Sequence, residues 1–312
     1  MCQLCDARAA QTARPGVPAA AAVMAAGAAA MPAGSAAGDP ARRAAAPAPD
    51  WTGHEGRPVL IRGGTVLTMD PKVGDFPEGD VLVRDGRIAE IGAGIEAGDD
   101  AAVIDAAGMI VVPGFIDTHH HQFETALRSF LADGILVPDG RPETVLNYYE
   151  TILQTFSVLY RPEDVYINEI FAGIAQLDAG VTTVMDVSQI HHTPAHSDAA
   201  IQALRDTGRR AVFGYFEGWG DDLKYPQDAR RIREEWFASD DQLLTMVMGG
   251  EIYIPNHEAA WQIGRELDLP VALHVVGTFG MAGTFDELAR TGQFGPDNIF
   301  IHMTGMSDMA WK

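Results

Sequence analysis

The sequence predicts an α/β protein: a (β/α)8 TIM-like barrel, of which about six strands are present, with a small N-terminal β-sandwich part. Three features carry this. After Pro113, short apolar runs alternate with segments of helical periodicity, the pattern of a parallel sheet with crossover helices. Histidines stand where several of those runs end. Residues 58–112 are instead a succession of β-rich runs broken by Gly and Asp-Gly turns.

Composition narrows the class. With 47% hydrophobic and 21% charged residues the chain is of ordinary globular make-up. Lys and Arg number 22 against 43 Asp and Glu, a net charge of −21 that repels phosphate backbones and anionic lipid. The expected partner is therefore a small-molecule substrate, with no nucleic acid and no membrane; a homo-oligomer stays open. The two cysteines, Cys2 and Cys5, lie at the extreme N-terminus. No disulfide framework, cysteine nucleophile or Cys-rich zinc site can form in the rest, so a metal site must use His and carboxylates.

Three regions follow: residues 1–55 as an Ala/Pro-rich leader or tail, 56–112 as the first half of a β-sandwich, and 113–312 as a barrel incomplete at its C-terminus. Residues 1–50 hold 21 alanines and six prolines. Arg8 and Arg14 precede an apolar stretch over 17–31, and the small Ala33, Ser35 and Ala37 follow it, in the manner of a weak export signal. Such a signal would place the protein in the periplasm or outside the cell, and otherwise it is cytoplasmic. A lone Cys2-x-x-Cys5 pair lacks the second half of a zinc site.

In the second region, residues 59–67 read as strand, Gly63-Gly64 turn and strand. Asp85-Gly86 joins two β-rich runs over 80–92 as a hairpin. Residues 103–105 and 109–112 add further strand. In the third, a helix begins at Pro162 and stops at Gly180, with Tyr166, Ile170, Ile174 and Leu177 as its apolar face. Strands are expected over 181–187, 210–216, 243–248, 269–276 and 298–302. Thr193-Pro194 opens a helix that Gly208 ends, and Thr284-Phe285-Asp286-Glu287 reads as a capping box for one that Gly292 ends. An open doubly wound sheet is the rival, but no GxGxxG or GxxxxGK[ST] follows any strand.

The histidines mark the site. His119 and His121, two apart in a strand, face one side while His120 faces the other. His274 and His302 end the fifth and sixth runs. Barrel active sites occupy that rim, and imidazoles sharing it can hold a cation at about 2.0–2.1 Å. His191, His192 and His196 follow the second run, Glu217 and Trp219 the third, and Glu251 the fourth; His192, Glu217 and Trp219 are the candidate substrate contacts. His54 and His257 read as surface residues.

Pro113-Gly114-Phe115-Ile116-Asp117-Thr118-His119-His120-His121 resembles the PGxxDxHxH signature of the amidohydrolase superfamily, and Ile61-Arg62-Gly63-Gly64 with Asp85-Gly86-Arg87-Ile88 resembles its N-terminal sandwich. The resemblance covers 56–312 and is nearest to the cytosine-deaminase-like and triazine-hydrolase-like branch. It implies one divalent metal, Zn2+ by default with Fe2+ as the other fit, held by His119, His121 and His274 plus an Asp on an eighth strand. It implies for His302 contact with substrate or the attacking water, and His302 is the catalytic candidate for orienting or protonating the departing group. The absence of Lys over 245–249 disfavours the dinuclear branch.

Two departures qualify it. Deaminases of this branch carry a proton-shuttling Glu three residues after the strand-5 histidine, where this chain has Gly277. Chemistry with another proton donor is thereby favoured over a nucleobase deaminase of the usual type. The sequence also stops at Lys312, soon after the sixth run, which reads as a C-terminally truncated member. The expected function is metal-dependent hydrolysis of C–N bonds other than peptide bonds, on a cyclic amide, amidine or related small molecule, with activated water as nucleophile. The alternatives are a deaminase or dechlorinating hydrolase of a heterocycle, or, from another class, an inactive fragment or pseudoenzyme. HxHxDH, a different metallohydrolase pattern, fails at Gln122, Phe123 and Glu124.

Overall fold

The computed structural model describes residues 56–131, 135, 146–239, 241–255 and 257–312. The readings placed on residues 1–55, both cysteines and His54 included, fall outside the described residues. The chain divides into two compact units, one ending at Pro113 and the other beginning at Gly114.

The first unit is one five-stranded sheet: β1 (Val59–Val66), β2 (Phe76–Arg84), β3 (Arg87–Gly92), β4 (Ala102–Asp105) and β5 (Ile110–Val111). The order is β3-β2-β1-β4, with β5 also on β1. Asp85 and Gly86 take positive φ angles of 50° and 70°, the two left-handed positions that a type I′ hairpin needs. Leu60, Leu82, Ile95 and Ala97 form its buried core.

Gly63-Gly64 does not turn the chain, contrary to the sequence reading. β1 runs straight through, with register shifts against β2 on both sides of Gly64. The reason is the strand's central place: β2 takes one edge, while β4 and then β5 pair in parallel along the other. Small residues let the backbone bulge without losing pairing. A Cβ on Gly64 would sit 2.6 Å from Val111 Cγ2. The Gly63 N–H donates to buried Asp80 Oδ1 at 2.8 Å, and the Ile95 N–H to its Oδ2 at 2.9 Å.

The second unit has six parallel strands in chain order: β6 (Phe115–His120), β7 (Val181–Ser188), β8 (Arg210–Tyr215), β9 (Leu244–Gly249), β10 (Val271–Val276) and β11 (Asn298–Thr304). The connections carry α1 (Pro162–Asp178), α2 (Pro194–Asp206), α3 (Ala229–Trp236), α4 (His257–Glu266) and α5 (Ala282–Arg290). Among the described residues three short helical segments, Gln122–Leu127, Tyr149–Phe156 and Ser157–Leu159, lie between β6 and α1. Strict chain order in a parallel sheet is the topology of a barrel, not of a doubly wound sheet, which reverses at a switch point.

Successive side chains on a strand separate into two layers. Val184, Phe213, Tyr215, Met248 and Leu273 pack toward the helices. Met185, Val187, Val247, Ala272 and Ile301 form a second buried cluster, the inner face of the sheet. Among the described residues no helix is long and apolar enough to cross a membrane.

Two helix readings are corrected. On α1 the buried face is Val165, Asn168, Glu169, Ala172 and Gly173, while Ile174 and Leu177 are exposed. Close approach to α2 selects the small residues: a Cβ on Gly173 would lie 2.3 Å from Thr207 Cγ2. Buried hydrogen bonds hold the polar ones, so apolar periodicity alone selects the wrong stripe. The capping box at Thr284 is also absent. α5 starts at Ala282 after Met281, with no side-chain cap, and Thr284 lies inside it. His257 is not a surface residue either; its ring meets Trp261 edge-on at 5.9 Å, and its Nε2 is buried without a partner among the described residues.

Candidate metal centre and cavity

β6 ends on the HxH segment, and β10 brings His274 to the same rim. His119 Nε2 lies 3.0 Å from His121 Nε2 and 3.2 Å from His274 Nε2. Ligand atoms of all three lie within 4.8 Å of one another. Two donors about 2.1 Å from one ion, at angles of 90–109°, stand about 3.0–3.4 Å apart, so the 3.0 and 3.2 Å separations match edges of a coordination polyhedron.

The outer nitrogens decide which atom carries a lone pair. His121 Nδ1 donates to the Val187 carbonyl at 2.9 Å, which leaves Nε2 unprotonated in the neutral ring. His274 Nδ1 pairs with Glu251 Oε1, and the His274 N–H donates to Glu251 Oε2 at 3.0 Å. Glu251 is fully buried and spends both oxygens on His274. Burial, followed by the neighbouring rings of His274 and His302, lowers His119 to about 4. Burial, followed by the neighbouring rings of His274 and His119, holds His121 well below its ordinary value. Burial would lower His274 too, but the Glu251 carboxylate outweighs it and raises the group. The two fixed rings turn Nε2 toward His119 Nε2, an arrangement that a shared cation would bridge. The donor set therefore fits a divalent ion, with Val187 and Glu251 fixing ring orientation.

His302 reaches the same point by a different route. Ile299 and Ile301 belong to the inner layer, so regular alternation would send His302 outward with Phe300. A register shift opposite Val275 and Val276, with φ of 73° at His302 and 53° at Met303, breaks the alternation. Its ring then lies 4.8 Å from that of His119 and 5.4 Å from that of His274. His120 turns the other way, pairing with Asp117 Oδ2 at 2.9 Å, an oxygen that Gln176 also holds.

A cavity of about 510 Å3 opens over these rings. Its wall includes His119, His121, His274, His302, Glu124, Tyr148, Tyr149, Gln189, Tyr253 and Phe279. The three expected substrate contacts stand behind it. His192 is buried, with Nε2 donating to the Ser157 carbonyl and Nδ1 accepting from the Trp219 N–H, both at 2.9 Å. Glu217 Oε1 accepts from Gln189 Nε2 at 2.8 Å and from the Tyr253 hydroxyl at 2.5 Å, so it braces two wall residues. Trp219 meets Tyr149 edge-on at 6.3 Å. His191 and His196 are buried in side-chain hydrogen bonds with Ser197 and Thr193.

Sequence reasoning missed Glu124 and Tyr148, whose partnership spans a connection with no periodic signal. The Tyr148 hydroxyl donates to Glu124 Oε1 at 2.5 Å. It also missed the buried network behind β7, where Gln122 links Asp186, Glu169 and Arg209. Asp186 Oδ2 and Glu169 Oε1 have no partner among the described residues.

Burial raises Asp186 to about 7, and burial with the Asp186 charge raises Glu169. Unfolded carboxyls titrate near ~4, so the folded state holds protons that the unfolded state has released. This contribution is complete below about pH 4 and disappears as pH rises through the folded-state values. Melting of the chelator-treated protein should fall between pH 5 and 8, and Asp186→Asn should flatten that slope. An unchanged slope in the variant would place the proton uptake elsewhere.

The amidohydrolase family model matches residues 110–282, and the chain belongs to that family. It is 28% identical over 273 residues to the 5'-deoxyadenosine deaminase of Methanosarcina acetivorans, covering 80% of this chain and 58% of the relative. It thus spans little more than half the length of that curated relative. Among solved structures, a triazine hydrolase from Arthobacter aurescens gives a TM-score of 0.65 at 21% identity, over 79% of this chain and 60% of that one. An atrazine chlorohydrolase from Arthrobacter aurescens TC1, complexed with zinc, gives 0.55 at 21% identity, over 74% and 55%. The barrel architecture expected from the alternation of elements is therefore the fold of this unit.

Proposed function

We propose that the protein is a metal-dependent aminohydrolase that removes an exocyclic amino group from a small nitrogen heterocycle, with a purine nucleoside related to 5'-deoxyadenosine as the first substrate to test. The observation that carries it is the convergence of His119, His121 and His274 at one edge of the cavity, two of them with the outer nitrogen fixed by a protein acceptor. One divalent ion is expected there, zinc in preference to iron: imidazole donors suit it, and the atrazine chlorohydrolase holds it.

A bound ion lowers the pKa of a water molecule and polarises the reacting carbon. The chain's own residues do the rest. Val187 and Glu251 keep two rings aligned. Tyr149 and Phe279 supply flat apolar wall for a planar ring, and Gln189, braced by Glu217, offers its amide for orientation. His302 stands beside His119 to orient water or the leaving nitrogen.

The test is metal content by mass spectrometry together with ammonia release from 5'-deoxyadenosine, guanine and a triazine. About one zinc per chain and ammonia from at least one amine substrate are expected. Zinc without ammonia from any of them would refute deamination, and absence of zinc would refute the metal centre.

A further inference from the structure

We infer that Glu124, held by the hydroxyl of Tyr148, is the proton carrier of this active site. The role presupposes the deamination proposed above. Hydrolysis of an amino group must move two protons from water to nitrogen, and neutral imidazoles bound through Nε2 cannot carry them.

The position that carries the shuttling glutamate in the deaminases this chain resembles is closed here. It is Gly277, where even a Cβ would lie 1.8 Å from the Gly305 carbonyl oxygen. The other carboxylates near the rings do not line this cavity. Glu251 gives both oxygens to His274. Glu217 gives Oε1 to Gln189 and Tyr253 and lies behind them. Glu124 alone among the described carboxylates lines the same cavity as His119, His121, His274 and His302. Tyr148 fixes one of its oxygens, and the other takes no hydrogen bond among the described residues.

The oxygen that the Tyr148 bond leaves free is the atom that can take and give a proton in this cavity; burial favours the protonated form, against the lowering effect of that hydrogen bond. Water adds its oxygen to the carbon bearing the amino group, and the electron pair of the ring C=N bond moves to the ring nitrogen. Glu124 takes the proton that water releases and passes it to that nitrogen. Glu124 then takes the proton of the new hydroxyl and gives it to the amino nitrogen. The C–N bond breaks, ammonia leaves, a carbonyl remains and the carboxylate is as it began.

The experiment compares the zinc-loaded full chain with E124Q and Y148F, using ammonia release from 5'-deoxyadenosine. E124Q should lower kcat about 10²–10⁴-fold, the usual worth of a general acid–base group, with KM within a few-fold and zinc content unchanged. Wild-type kcat should fall on the acid side as Glu124 protonates, and the residual E124Q rate should lack that limb. Y148F, which removes a hydrogen bond to the charged form, should move the limb to higher pH. On metal-free protein, 13C NMR should show, beside the raised Asp186 and Glu251, a further carboxyl titrating above the ordinary glutamate range that is absent from E124Q. A kcat for E124Q within about threefold of wild type would overturn the role, as would lost zinc, or a Glu124 carboxyl in the ordinary glutamate range. If the zinc-loaded wild type releases no ammonia, deamination fails and the role of Glu124 fails with it; an active wild type beside an unimpaired E124Q overturns the role alone.

Discussion

Replacing His274 with alanine should remove the proposed zinc binding and turnover together, with metal affinity falling by more than about 100-fold. The figure comes from comparison with the residue behind it. Groups that orient a ligand histidine are worth about 10–100-fold in metal affinity, and loss of the ligand itself must exceed that. Glu251→Gln therefore provides the internal scale. Its amide keeps one acceptor for the His274 Nδ1 proton but loses the charge, and zinc should weaken by about 10–100-fold. The position is fully buried, so the effect cannot be dismissed as surface electrostatics. Chelator competition on the two variants and the wild type measures the series. His274→Ala binding zinc as tightly as wild type would overturn the metal centre, and Glu251→Gln matching wild type would make that carboxylate a packing group.

Gly277→Glu, which would write the deaminase-type glutamate into this chain, should destabilise the fold instead of supplying a proton carrier. The obstacle is backbone, not a flexible side chain: a Cβ at 277 would meet the Gly305 carbonyl oxygen at 1.8 Å and its carbon at 2.5 Å. Overpacking of this kind costs about 1–3 kcal/mol, and more where the neighbour cannot rotate away. Gly277→Ala should already show the loss in urea or thermal melting. Gly283→Ala is the control, since nothing lies within 4 Å of a Cβ there. It sits near the start of α5 and should be neutral or slightly stabilising. Equal melting of the two alanine variants would show that the 277–305 contact is not tight in solution.

Much of the centre was legible because it depends on local periodicity. A strand puts residues two apart on one face, so His119 and His121 could be paired from spacing alone, and His120 set apart from them. Parallel strands of a barrel end on a common rim, so His274 could be added without knowing any angle. The same logic misleads where regularity fails. The Gly63-Gly64 pair carries the composition of a turn, yet β1 continues because pairing on both edges outweighs local preference. The exposed Ile174 and Leu177 have the spacing of a core face, yet α1 buries Gly173 and Glu169, selected by close packing and a polar network.

What the sequence by itself determined is the architecture and the three imidazoles: the alternation of apolar strand and helix, its order, and the residues that strand ends bring to one rim. Tertiary structure alone decided the rest. The inward turn of His302 depends on a bulge with positive φ at two non-glycine residues, which no propensity signals. The Glu251–His274, Glu217–Tyr253 and Glu124–Tyr148 pairs join residues 23, 36 and 24 positions apart. Hydrogen bonds over such separations have no period to read. They exist because burial makes an unpaired carboxylate costly and because the folded sheet places a partner within reach.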